Sequence, residues 1–323
     1  MTVSRVAVLD ADRFTGLVAL GTRAPSLQNT QPWRFRRHGD AVDVLADLDR
    51  ALPATDPSGW GLRIALGAAA YNVRLGYALL GWRAEAESFP EPDEDHLLVR
   101  VRPANERPPT PGERELAAAI PRRHTNRRPY LDTAVPTSAL TALTRAAEDE
   151  AGRLTVLDPR AVGEAMALVR EADEELDRRA GYAAEQRAWT RGGTSSEDGV
   201  REDRLAGRPH PDERLRRRDF GGGPARRYES DPCLAVLTTT GDSRYDEVRA
   251  GQALQHVLLR ATASGLTASL YSQPIEVPST RGRLGTLCGG GTPQMLLRVG
   301  YGLAHSPTAR RPVPEVLVPD RDD

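Results

Sequence analysis

The chain contains no lysine: all 44 of its basic residues are arginine. That omission removes Schiff-base catalysis and the phosphate lysine of Walker-type nucleotide sites, and it leaves any phosphate-binding role to guanidinium groups. Cysteine is nearly absent as well. Cys233 and Cys288 have neither metal-ligand spacing nor the density of a disulfide framework, so both read as indifferent thiols. No apolar run approaches the length of a membrane span or has the form of a secretion signal, which points to a cytoplasmic protein with no membrane partner. The net charge of -1 gives no bulk electrostatic basis for binding nucleic acid. Several catalytic signatures are missing too: no Gly-x-Ser-x-Gly elbow, no His-Glu-x-x-His, and no Gly-x-Gly-x-x-Gly after a strand. Of six histidines only His124 sits in a motif, and His256 reads as a packing or interface group.

What is present is concentrated in two short stretches. Residues 24–33, Ala-Pro-Ser-Leu-Gln-Asn-Thr-Gln-Pro-Trp, form a loop held between two constrained points. Pro25 fixes its own φ, and Pro32 pushes Gln31 toward an extended conformation. Ser26, Asn29 and Gln31 are thereby displayed as a row of hydrogen-bonding groups suited to a planar heterocycle, at reduced entropic cost. Residues 122–130, Arg-Arg-His-Thr-Asn-Arg-Arg-Pro-Tyr, are the second stretch. Arg123 and Arg127 offer permanently charged forks for bidentate phosphate contacts, and His124 and Thr125 add neutral donors.

The first string resembles the flavin-contacting loop of the nitroreductase family, an Ala-Pro-Ser-x-x-Asn-x-Gln-Pro-Trp pattern matched here at every fixed position. The second resembles the family's basic element, which implies a grip on the phosphate and ribityl chain of FMN. Ordinary members carry the basic element before the Pro-Ser loop and form homodimers; here the order is reversed, about a hundred residues apart. That layout is similar to the Acg-type branch, in which two nitroreductase-like lobes are fused in one chain. The resemblance implies an α+β fold of two lobes forming a pseudo-dimer, each a mixed or antiparallel sheet packed with helices. It also makes Pro25, Ser272 and Gln273 flavin contacts, the last two near N5, and places Arg310 and Arg311 on the phosphate.

A weak internal repeat supports the fusion independently. Gly67, Ala69, Val73, Leu75 and Gly81 recur at an offset of 184 residues as Gly251, Ala253, Val257, Leu259 and Gly265. Each lobe retains half of one site: the first has the Pro-Ser loop but only Arg13 between Val8 and Gly21, and the second has the basic element but no such loop. One complete site per chain is expected, with its pseudo-symmetric counterpart dead.

Periodicity and turn chemistry place the elements. Helices are expected over Asp10 to Gly21 and Gly61 to Leu80. Strands are expected over Trp33 to Arg37, Val42 to Ala46, His96 to Val101, Leu154 to Leu157, Leu234 to Thr238 and Met295 to Val299, with a charged helical stretch between the fourth and fifth of them. The Pro-rich stretch Pro103 to Pro111 reads as a linker between lobes 1–105 and 112–323. Residues 185–231 hold eleven arginines, ten acidic residues and seven glycines, too little apolar surface to build a core. The resemblance makes this segment a lid over the flavin, with Trp189, Phe220 or Tyr228 as contacts.

The function expected from the resemblance is ping-pong hydride transfer from NAD(P)H through FMN to a small-molecule electron acceptor, nitroaromatic or quinone-like, with no catalytic side chain. The alternative is a flavin-sequestering protein whose lid shuts out the nicotinamide. A fused pair predicts a monomer, and dimerisation through other surfaces stays open.

Overall fold

The structure, a computed structural model, describes residues 9–191, 196–201, 215, 228–303 and 308–320. The first lobe begins with α1 (Ala11–Gly21), capped by Asp10, whose Oδ1 accepts from Arg13 N at 2.8 Å. A hairpin of β1 (Trp33–His38) and β2 (Ala41–Ala46) follows, turning at Gly39 with φ of 55°. Then come α2 (Trp60–Leu79), β3 (Trp82–Ser88) and β4 (Leu97–Glu106). These strands form an antiparallel sheet in the order β1-β2-β4-β3.

The second lobe contains α3 (Pro111–Ala119), α4 (Thr137–Glu148), β5 (Arg153–Val156), α5 (Pro159–Arg178) and α6 (Tyr182–Trp189). A two-residue ribbon pairs β6 (Thr190–Arg191) with β7 (Val200–Arg201). Next are β8 (Cys233–Thr239), α7 (Arg244–Ala263), β9 (Thr267–Tyr271), α8 (Gln273–Glu276), α9 (Pro278–Leu287), β10 (Thr292–Gly300) and α10 (Val313–Val316). Strands β5-β8-β10-β9 make a second antiparallel sheet. The C-terminal segment returns to the first lobe, where Val318 N donates to Phe35 O at 2.9 Å. The fold is therefore α+β, two sheets each packed with helices. Among the described residues no helix is long and apolar enough to cross a membrane.

Helices α2 and α7 carry the repeat and pack against each other. A Cβ on Gly67 would lie 2.0 Å from Val248 O, and one on Gly251 would lie 2.2 Å from Ile64 O. Val248 is the repeat counterpart of Ile64, so the contacts are reciprocal, as at a two-fold interface. Arg63 pairs with Glu247, again counterparts, and Gln255 Nε2 donates to Asn72 Oδ1 at 2.7 Å. His256 stacks on Tyr71 with ring centroids 5.2 Å apart, and burial pulls its imidazole down to about 4. That makes it a packing group of the interface.

Three expectations change in detail. Strand β4 runs on to Glu106 and takes in Pro103, because β3 pairs along it, so the connection between lobes shortens to residues 107–110. Strand β3 itself was not anticipated: it alternates half-buried Trp82, Ala84 and Ala86 with exposed Arg83, Glu85 and Glu87, but alanine and glutamate are weak strand formers. The segment 185–231 also contributes to the core, since Val200, Leu215 and Tyr228 are buried. Leu215 and Tyr228 are enclosed by the second lobe's core, which supplies the apolar surroundings their own segment lacks. Phe220 lies outside the described residues.

Gly67→Ala should lower unfolding free energy by about 2–3 kcal/mol, because backbone faces its Cβ. Gly163→Ala, on an exposed turn of α5 with nothing within 4 Å, should raise it by about 0.5–1 kcal/mol. Urea denaturation of both variants checks the pair.

Candidate functional site

The Pro-Ser loop closes on itself through Ser26, whose Oγ accepts from Gln31 N at 3.0 Å. Three of its residues occupy the left-handed region, Gln28 at φ 50°, Asn29 at 57° and Gln31 at 52°, so Gln31 is not extended before Pro32 as its sequence position led us to expect. Each costs about 1 kcal/mol or more, and such strain collects where side chains must be held in a set direction. Gln28 Nε2 ties the loop to Thr55 Oγ1 at 3.3 Å.

The basic element is held by the second lobe. Asn126 N donates to Ala268 O at 2.9 Å, and Thr125 forms a bridge with Ala268 at the start of β9. Tyr228 Oη donates to Arg127 O at 2.6 Å. Behind these contacts lies a buried ion pair: Glu229 accepts from Arg298 Nε at 2.5 Å and Nη2 at 2.6 Å, and from Tyr130 N at 3.0 Å. The Arg298 guanidinium sits 3.6 Å from the Tyr130 ring centroid and donates to Arg128 O. No motif pointed to Glu229 or Arg298, because their role depends on a pairing across 69 residues.

The two stretches meet. A cavity of about 30 Å³ is lined by Pro25, Ser26 and Asn29 from the first lobe and by Arg123, Thr125, Arg127, Thr308 and Arg310 from the second, with Gly199 and Val200 closing it. Arg123 is 5% exposed; its Nη2 donates to Arg23 O at 3.2 Å, and its buried Nε has no hydrogen-bond partner. Arg310 reaches four carbonyl oxygens, of Thr22, Ala24, Thr308 and Ala309. Among the described residues neither guanidinium has an ion-pair partner. Burial without counter-charge pulls Arg123 down to about 10. Burial, then the charges of Arg123 and Arg23, pull Arg310 down to about 9. Two of the three arginines lining this small cavity thus have, among the described residues, only carbonyl dipoles to offset their charge, a donor set that suits a phosphate.

The remaining expected residues lie around that cavity rather than on it. Gln31 is fully buried; its Nε2 donates to Glu197 O at 2.8 Å and its Oε1 accepts from Arg311 N at 2.9 Å. Arg311 is committed to Asp47, 3.3 Å away. His124 is half-buried, with Nδ1 2.8 Å from Arg122 O. Ser272 and Gln273 are buried where β9 passes into α8. The four-residue step from Ala268 to Ser272 covers about 13 Å at the usual rise, so the basic element and this turn lie at opposite ends of β9.

Part of the 185–231 segment lies on the Pro-Ser loop. Gly199 N donates to Asn29 O and Asn29 Nδ2 donates to Gly199 O, both at 3.2 Å. Asp198 pairs with Arg50, whose guanidinium sits 5.2 Å from the Trp189 ring centroid. With this strap in place the cavity has room for about one water molecule.

The architecture and the cavity define a two-lobed α+β protein with an anion-suited site between its lobes. No family model matches the chain. Curated relatives do: "Putative NAD(P)H nitroreductase Rv3131" of Mycobacterium tuberculosis is 34% identical over 324 residues, covering 95% of this chain and 92% of the relative. "Putative NAD(P)H nitroreductase acg" of the same organism is 31% identical over 322 residues, covering 96% of each. The chain belongs to the nitroreductase family, in the company of Acg. Solved structures include a nitroreductase with bound FMN from Desulfitobacterium hafniense, 13% identical, covering 61% of this chain and 94% of that one at a TM-score of 0.41. Another with bound FMN, from Bacteroides fragilis, is 14% identical, covering 58% and 89% at 0.38. Likenesses this distant assign no residue.

Glu229→Ala strands a buried guanidinium and should cost about 3–5 kcal/mol of stability. The double variant Glu229→Leu with Arg298→Met should recover most of it. Chemical denaturation of the single and double variants measures both.

Proposed function

We propose that the chain is an FMN-binding, NAD(P)H-dependent oxidoreductase, an internal pseudo-dimer with one cofactor site between its lobes. The observation that carries this reading is the pair of guanidiniums, Arg123 and Arg310, that have no counter-ion among the described residues and line one cavity with Ser26 and Asn29. FMN, when bound, would supply hydride-transfer chemistry at N5 between NAD(P)H and a small nitroaromatic or quinone-like acceptor, in ping-pong order. Arg123, Arg127 and Arg310 would hold the phosphate, with Thr125 adding a hydroxyl. Pro25, Ser26 and Asn29 would line the ring, and the backbone at Ser272 and Gln273 would approach its far edge. No acid-base dyad among side chains is required, and the protein's part is anchoring, orientation and exclusion of water. Seating the ring requires Gly199 and Val200 to move off Asn29. We place the protein in the cytoplasm, as a monomer.

The strap favours a second reading, a flavin-sequestering protein, because the segment closing the cavity covers the loop on which a nicotinamide would have to gain access. Anaerobic addition of NADH or NADPH to the yellow protein separates the two. Bleaching of the flavin band supports the reductase, whereas a bound flavin untouched by either nucleotide supports sequestration.

Arg123→Gln tests the phosphate role. Losing one charged contact should weaken FMN binding about thirtyfold, or about 2 kcal/mol, while riboflavin, which lacks the phosphate, changes by less than about threefold. Equal losses for both ligands in a titration would remove Arg123 from the phosphate.

A further inference from the structure

The basic element has no helix or strand of its own to fix its shape. Between α3 and α4 the backbone makes only isolated bridges, Thr125 to Ala268 and Tyr130 to Gly302. Side chains hold the stretch between those bridges. Tyr228 Oη donates to Arg127 O at 2.6 Å, Arg298 Nη2 donates to Arg128 O at 3.2 Å, and Glu229 accepts from Tyr130 N at 3.0 Å. Asn126 closes the turn from within, its Oδ1 accepting from Arg128 N and its carbonyl from Tyr130 Oη, both at 3.0 Å. Backbone groups of residues 127, 128 and 130 are thus answered by side chains from β10 and from the chain just before β8.

Those side chains form one buried unit. Tyr228 is 7% exposed, Glu229 8% and Arg298 0%. The Arg298 guanidinium, fixed by Glu229, sits 3.6 Å from the Tyr130 ring centroid and 4.8 Å from that of Tyr228. Packing against a fixed cation sets the Tyr228 ring, so its hydroxyl meets Arg127 O from one direction. Tyr228 is not among the residues lining the cofactor cavity, whereas Arg127 is. Arg123 and Arg310 are oriented by carbonyls that their own guanidiniums reach. At Arg127 the backbone carbonyl is gripped from behind instead.

We infer that Tyr228 is a positioning residue for the phosphate subsite: its hydroxyl fixes the Arg127 carbonyl, and with it the direction in which the Arg127 guanidinium enters the cavity. A preference for a phosphorylated flavin over the unphosphorylated one follows. The inference rests on the reading given under Proposed function, that this cavity takes the phosphate of FMN. Holding the backbone in advance lowers the ordering cost of phosphate binding. A phenolic hydroxyl does so as a neutral donor, placing no negative charge beside the arginines.

The test is titration of the flavin-free chain with FMN and with riboflavin, followed by flavin fluorescence, in four forms: wild type, Tyr228→Phe, Arg127→Gln and the double variant. Tyr228→Phe keeps the ring beside Arg298 and removes only the hydroxyl. It should weaken FMN about fivefold and change riboflavin by less than about twofold. In the Arg127→Gln background no guanidinium is left to aim, so the same change should cost FMN less than about twofold. General loosening of the core would weaken both flavins alike and act equally in both backgrounds. Unchanged FMN affinity in Tyr228→Phe, equal losses for the two flavins, or the same loss with and without Arg127 overturns the inference. A wild-type chain that binds riboflavin as tightly as FMN removes the phosphate from the cavity, and both readings fall. One that prefers FMN while the two substitutions act additively keeps the cofactor site and loses only the role of Tyr228.

Discussion

Two glycines set back to back hold the molecule in its working form. Gly67 and Gly251 let the backbones of α2 and α7 approach until no Cβ could stand between them. Such an approach maximises contact between helices whose other faces are already enclosed: α2 is buried nearly all round by its own sheet on one side and α7 on the other. Because the contacts are reciprocal at the repeat offset, one rigid crossing sets where each lobe's loops fall. The Pro-Ser loop and the basic element, a hundred residues apart in the chain, reach the same small cavity as a consequence.

The cavity then departs from ordinary folding rules. Buried guanidiniums are normally matched by carboxylates, and elsewhere in this protein they are: Arg298 has Glu229, and Arg36 and Arg100 share the fully buried Asp43. At Arg123 and Arg310 no carboxylate among the described residues answers, and three residues of the facing loop, Gln28, Asn29 and Gln31, carry left-handed backbone. Stability is given up on both sides of this one cavity. Local violations of this kind mark sites built for a ligand.

Much of this was legible in the sequence. The Pro-Ser loop and the Arg-Arg-His-Thr-Asn-Arg run stood out because a binding site needs fixed residue types at short spacing, and three of the four strands of the second sheet followed from apolar runs such as Leu234 to Leu237. The repeat marked α2 and α7 as counterparts, and the structure adds that they pack against each other at Gly67 and Gly251. Less was legible where meaning depends on contacts made far along the chain. Glu229 looks like one more acid in a charged segment until Arg298 is placed beside it. Arg311 adjoins Arg310 and resembles it in every local respect, yet Asp47 claims it. Leu215 shows why composition misjudged its segment: a side chain in a charged run can still be buried when a neighbouring lobe supplies the apolar surroundings.

The central claim is that both lobes together make one cofactor site and no more. Titration of the flavin-free chain with FMN, followed by absorbance and by the protein-bound fraction after desalting, counts it directly. One FMN per chain is the predicted end point. Two per chain would mean the pseudo-symmetric half-sites are intact, and none would mean that the guanidiniums of Arg123 and Arg310 serve something other than a flavin phosphate.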